Sequence, residues 1–124
     1  MRRRDLLAAG AALLGARAAG LQPPGGPMYG LIGKMTAVDG KRDALIAILL
    51  EGAAALPGCL SYVVAQDARD PNAVWITEVW KDEASHAASL NLSSVRDAIA
   101  KGRPLIAAIG ERFETIPVGG QGLG

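Results

Sequence analysis

A single cysteine, a single histidine and no apolar run long enough to span a bilayer set the first limits on this 124-residue chain. Cys59 stands alone, which excludes an internal disulfide and any cysteine-based zinc cluster. Its place in a strand-like stretch with no neighbouring base favours a packed, inert thiol over a reactive one. His86 is equally alone, and no spaced group of His, Asp and Glu accompanies it, so the usual three-ligand metal site cannot be assembled. The glycine-rich strand-turn-helix fingerprint of flavin and nicotinamide sites is missing too, because Gly30 and Gly33 fall inside a strand. Nor does any Ser, His and Asp order have a credible spacing for a hydrolytic triad. Neither a metal nor a cofactor is therefore expected.

Charge of one sign is scarce outside the first residues. Thirteen Lys and Arg face twelve Asp and Glu, but Arg2, Arg3, Arg4 and Arg17 with Asp5 all lie in residues 1–18; without them nine basic residues face eleven acidic ones, a net charge near −2. A nucleic-acid partner, which needs a dense basic surface, is not expected. The opening itself reads as an export signal: three arginines, an apolar run from Leu6 to Ala16, and a small-x-small site at Ala16-Arg17-Ala18. Arg3-Arg4-Asp5-Leu6-Leu7 resembles the twin-arginine export motif, with Arg2 where Ser or Thr is usual and Leu6 where Phe is commoner. The apolar run is well short of the roughly 20 residues of a membrane span, so no stable anchor is expected and the mature protein is expected to be periplasmic or secreted.

What is present is one domain's worth of globular sequence, 50% hydrophobic and 20% charged. Residues 19–27, dense in Pro and Gly, read as a linker, residues 28–118 as the domain, and the glycine-rich residues 119–124 as a disordered tail. Within the domain, alternation predicts a strand over 29–38, with Tyr29, Leu31, Met35 and Ala37 opposite Ile32, Lys34, Thr36 and Val38. Asp39 is placed to cap a helix whose stripe is Leu45, Ile48, Leu49, Gly52, Ala53 and Leu56, ended by Pro57-Gly58. Strands over 59–66 and 74–81 flank the turn cluster 67–72 as a hairpin. Asp82 then caps a short helix to Asn91, and Ser94-Val95-Arg96-Asp97 has the form of a capping box opening another, interrupted at Gly102-Arg103-Pro104. An apolar turn over 105–109 and a strand over 111–118 complete a ferredoxin-like β-α-β-β-α-β α+β plan. Such a sheet has helices on one side only, so a second copy packed on the bare face, a homodimer, is the expected way to cover it.

The residues Pro57-Gly58-Cys59-Leu60-Ser61-Tyr62, then Asp67 and Asp70-Pro71, then Glu78-Val79-Trp80-Lys81-Asp82 and His86, resemble the pattern of the antibiotic biosynthesis monooxygenase (ABM) family over roughly residues 28–118. The resemblance implies a dimeric α+β barrel with a ligand cavity between each sheet and its helices. Period two puts Trp80 on the same strand face as Glu78, Ile76 and Val74, with Trp75 opposite. An indole lining the cavity can stack on an aromatic ligand and donate one hydrogen bond, or it can simply be core. His86, one position before Ala87 and four before Leu90, falls near the inward face of its helix and is a candidate general base; the plain alternative is a histidine bonded to a carbonyl or half exposed. Glu78 is a candidate to orient His86, to take a substrate proton, or to pair with Arg112. His86, Trp80 and Glu78 are thus the candidate catalytic residues, and Tyr62, Ile76 and Leu90 the candidate substrate-binding ones.

Several ABM members are cofactor-independent oxygenases, so the resemblance implies oxidation of a small aromatic phenol or quinol to a quinone. The alternative is a non-catalytic barrel that binds a small aromatic ligand in the same cavity. Haem binding ranks third, because His86 lies nearer Trp80 than the haem-ligating histidine of related barrels does, and Gly30 and Lys34 stand where an asparagine is expected.

Overall fold

The computed structural model describes residues 26–123, so the expected export signal and most of the expected linker lie outside the described residues. Among the described residues four strands and three helices follow in the order β1 (Tyr29–Ala37), α1 (Arg42–Gly52), β2 (Cys59–Gln66), β3 (Ala73–Trp80), α2 (Glu83–Ser89), α3 (Ser93–Gly102) and β4 (Ile106–Thr115), with one 3-10 turn, Arg103–Leu105, between α3 and β4. The strands form one antiparallel sheet in the order β2-β3-β1-β4. This is the ferredoxin-like α+β fold.

The sheet is amphipathic by alternation, and its helix-covered face holds the core. Leu45, completely buried on α1, packs with Ala37, Val74 and Ile76 from the two central strands, and Met35, Leu49, Tyr62, Val64 and Ile106 close around them. Removing a buried leucine side chain of this kind costs about 2–5 kcal/mol. The start of α1 is tied to the β2–β3 hairpin by Arg42, whose Nη1 donates to the Asp70 carbonyl at 2.9 Å. At its other end α1 approaches α3 so closely that a Cβ on Gly52 would lie 2.7 Å from Ala98 Cβ.

Three local expectations are corrected. Asp39 does not cap α1: the N-cap is Lys41, without a side-chain hydrogen bond, and Asp39 instead accepts from Asn72 Nδ2 at 3.4 Å. Gly40, at φ +78°, turns the chain between them and carries Asp39 away from the helix end. Ser94 lies inside α3, whose N-cap is Leu92, so the Ser-x-x-Asp spacing is no capping box here. The apolar segment from Ile106 to Ile109 is not a helical turn but the first part of β4, which begins five residues before the expected Glu111. Its β-branched isoleucines pair with β1, Ile106 against Ala37 and Ile109 against Met35.

Away from the helices the sheet is bare. Register places Val63, Thr77, Ile32 and Phe113 in one row across all four strands on that side. Val63 is 51% and Phe113 52% exposed, the apolar surface that alternation led us to expect.

Candidate functional site

The site is built where β3 ends. Trp80, its last residue, is almost fully buried, and its Nε1 donates to Glu78 Oε1 at 2.9 Å. Two residues apart on a strand means one face, so indole and carboxylate lie side by side toward the helices. Tyr62 stands opposite Glu78 on β2, an alignment that depends on the register shift between Cys59 and Ser61, where the strand takes in one extra residue. On β1, Tyr29 stands opposite Trp80.

His86 comes from α2. Asp82 caps this helix by accepting from the Ser85 amide at 2.8 Å, and hydrogen bonds from the Ser85 hydroxyl and amide hold the Asp82 carboxyl below its ordinary range. Gly58, at φ +81°, lets the chain pass directly beneath α2; a Cβ there would meet Ser85 Oγ at 2.6 Å. The Pro57-Gly58 pair therefore stops α1's trailing turn and also seats the helix that carries the histidine. The imidazole packs between two aromatic rings, 5.3 Å from Tyr29 at a tilt of 38° and 5.5 Å from Trp80 edge-on at 74°.

Between the sheet and the helices lies a cavity of about 570 Å³, within the range of small-molecule sites. Tyr62, Ile76, Glu78, Trp80, His86 and Leu90, the six residues singled out from sequence, all line it, together with apolar side chains such as Leu45, Leu49, Val95 and Ile99. Most of the polar groups gather at one end. Burial, and then the nearby Glu78 carboxylate, push the Tyr62 hydroxyl well above its ordinary range, so it is a proton-bearing donor. It has no hydrogen-bond partner among the described residues, yet no buried side-chain polar atom there is unsatisfied, so the hydroxyl opens into the cavity. Burial likewise raises the Cys59 thiol, which contacts the Ser61 and Val79 carbonyls at 3.5 and 3.8 Å, in keeping with a packed thiol.

Some expected roles change. The Trp80 N–H is engaged by Glu78, so the indole offers the cavity its ring and no donor. Glu78 makes no hydrogen bond to His86 and no ion pair with Arg112 among the described residues; Arg112 lies instead near Tyr29, whose Oη donates to Glu114. Sequence reasoning passed over Tyr29 as an ordinary strand residue. Only the β1–β3 register, which sets it across from Trp80, marks it as part of the site. Arg103, read as part of a helix break, also lines the cavity. No group of three or more His, Cys, Asp and Glu among the described residues is arranged to hold a metal.

An apolar cavity with a few converging polar groups, under helices on one antiparallel sheet, defines a small-molecule-binding α+β domain. The antibiotic biosynthesis monooxygenase family model matches residues 28–101, and the chain belongs to that family. A crystal structure from Chloroflexus aurantiacus J-10-fl, named for the same family, is similar at 71% identity with a TM-score of 0.77, covering 78% of this chain and 99% of that one. A Caulobacter crescentus structure, likewise named, is 18% identical with a TM-score of 0.69 over 75% and 92% of the two chains. A Pseudomonas aeruginosa protein is 23% identical with a TM-score of 0.68, over 78% of this chain and all of that one; these two likenesses speak for the fold alone. No curated protein matches the sequence.

Proposed function

We propose that the protein is a cofactor-independent monooxygenase that oxidises a small aromatic phenol or quinol to a quinone. The observation that carries this reading is the convergence of Glu78, Tyr62 and His86 at one end of a largely apolar cavity. A phenol seated there loses its hydration and places its hydroxyl among these groups. Glu78, whose Oε1 is held by Trp80, or the His86 imidazole takes the proton. The electron-rich phenolate then supplies electrons to O2; one oxygen bonds to the ring and the other leaves as water, giving the quinone. Trp80 and Ile76 form the surface against which the ring packs, and Tyr62 donates to the developing anion.

Assembly and export are proposed on separate grounds. The exposed row Val63, Thr77, Ile32 and Phe113 supports a homodimer formed by packing two bare sheet faces, which sedimentation analysis tests. Residues 1–18 support export, which fusion to a reporter active only outside the cytoplasm tests. No helix among the described residues is long and apolar enough to cross a membrane.

The decisive experiment is oxygen uptake by metal-free protein offered a panel of hydroquinones and polycyclic phenols, beside His86→Ala and Glu78→Gln. Uptake that falls in both variants supports the oxygenase. Tight binding of the same compounds without uptake replaces it with a ligand-binding barrel.

A further inference from the structure

The cavity is polar at two places, and only one of them is the cluster around Glu78. Glu78 lies beside Leu31 of β1, whereas the opposite end of the cavity is bounded by Met35 and by Ile106, which pairs with Ala37. Four to six strand residues at about 3.3 Å each separate these levels, roughly 13–20 Å. The walls between are apolar, with Ile76, Leu45 and Leu49 among them. At the far end stands Arg103, the first residue of the 3-10 turn.

The backbone holds Arg103 in place. Gly102 before it is buried against Leu45 and Ile48, where an added Cβ would lie 3.5 and 3.8 Å from their side chains. Pro104 follows it, and the Ile106 amide donates to the Arg103 carbonyl. Lys101 lies 3.5 Å from Glu51 and Arg42 donates to the Asp70 carbonyl, whereas Arg103, exposed to solvent, is the one Lys or Arg among the described residues that lines the cavity. Arg103 has neither ion pair nor hydrogen bond among the described residues. A guanidinium is charged at every physiological pH, and at the mouth of a low-dielectric cavity it attracts an anion that can accept its fork of N–H groups. Glu78 at the other end repels the same anion, so the two charges together fix which way round a ligand lies.

The geometry points to a ligand with two polar ends: an aromatic hydroxyl at the Glu78 end and, across an apolar body, a carboxylate held by Arg103. This rests on the reading of the cavity as a small-molecule site and adds to it the class of acidic, elongated hydroxyaryl compounds. Arg103 is then a specificity-determining residue, remote from the reacting atoms.

Calorimetric titration of the full chain with 4′-hydroxybiphenyl-4-carboxylate and with neutral 4-hydroxybiphenyl tests this without relying on turnover. The carboxylate is expected to bind roughly tenfold more tightly at low salt, with the advantage shrinking as salt rises. Arg103→Met is expected to bring the two compounds to equal affinity while leaving the neutral one as it was, and Arg103→Lys to retain part of the preference. Equal binding of both compounds by the unaltered protein, or a preference that survives Arg103→Met, overturns the assignment and leaves the cavity reading standing. Failure of both compounds to bind a protein with an unchanged circular dichroism spectrum removes the cavity reading itself, and this inference with it.

Discussion

Trp75 and Trp80 lie on the same strand and each donates its indole N–H to a carboxylate, Asp67 at 2.8 Å and Glu78 at 2.9 Å, yet the two bonds serve opposite ends. Asp67 also accepts from the Asp70 and Arg69 amides, and these bonds, with the one from Trp75, lower its carboxyl to about 2. Three hydrogen bonds on its two oxygens tie it to the β2–β3 turn and to Trp75. Glu78 receives only the indole N–H among the described residues and turns the rest of its carboxylate to the cavity. Trp75 meanwhile lies half-buried on the bare sheet face beneath Lys34, whose Nζ is 5.7 Å from the ring centroid, while Trp80 is sealed between sheet and α2. One bond type therefore makes a brace on one face and leaves a carboxylate open to the cavity on the other. The difference is a matter of parity along the strand and of what covers each face.

The comparison breaks most readily at the buried ring. Trp80→Ala is expected to lower unfolding stability by about 3–5 kcal/mol, against about 1 kcal/mol for Trp75→Ala, as read from urea denaturation; equal losses would mean that the two faces are equally packed. Next in size is the chemistry. Glu78→Gln, which keeps an acceptor for the Trp80 N–H, is expected to cut oxygen uptake about a hundredfold with little change in melting temperature, while Asp67→Asn leaves uptake intact.

The two carboxylates also separate by pH. Because Asp67 titrates near 2 when folded and at its ordinary 3.8 when unfolded, its contribution is full above about pH 4 and disappears as pH falls toward 2. Asp67→Asn is therefore expected to melt below the parent protein at pH 7, and the gap to close through that window; a gap constant from pH 7 to 2 would assign the loss to geometry alone. Smallest is the cation over the outer ring. Lys34→Met is expected to cost no more than about 1 kcal/mol, measured by the same denaturation.

Much of this arrangement was legible from residue order. Period two separated Trp80, Glu78 and Ile76 from Trp75, and the i, i+3, i+4 stripe found the buried side of α1 at Leu45 and Leu49. Asp82 was recognisable as a cap because its side chain reaches an amide three residues on, a purely local bond. The failures were also physical. Asp39 and Ser94 have cap chemistry, but Gly40 diverts one and the helix starting at Ser93 absorbs the other. The isoleucines after Arg103 suit a buried helical turn or a strand equally in a short apolar run, and pairing with β1 decided for the strand. Tyr29 and Arg103 escaped notice because their importance lies in what stands across from them, 51 and 25 residues away for Trp80 and Glu78 respectively.

By itself, then, the sequence determined which side chains share a face, where the chain turns at Pro57-Gly58, and the absence of the residues a thiol or multi-histidine metal centre requires, since alternation, turn chemistry and composition are local or additive properties. Only the tertiary structure decided that Tyr29 and Trp80 flank His86, that Glu78 binds the indole and leaves its remaining capacity to the cavity, and that Arg103 stands at the far end. Those facts depend on strand register, on one extra residue at the start of β2 and on the seat of α2 against Gly58, and each is set by contacts between segments far apart in the chain.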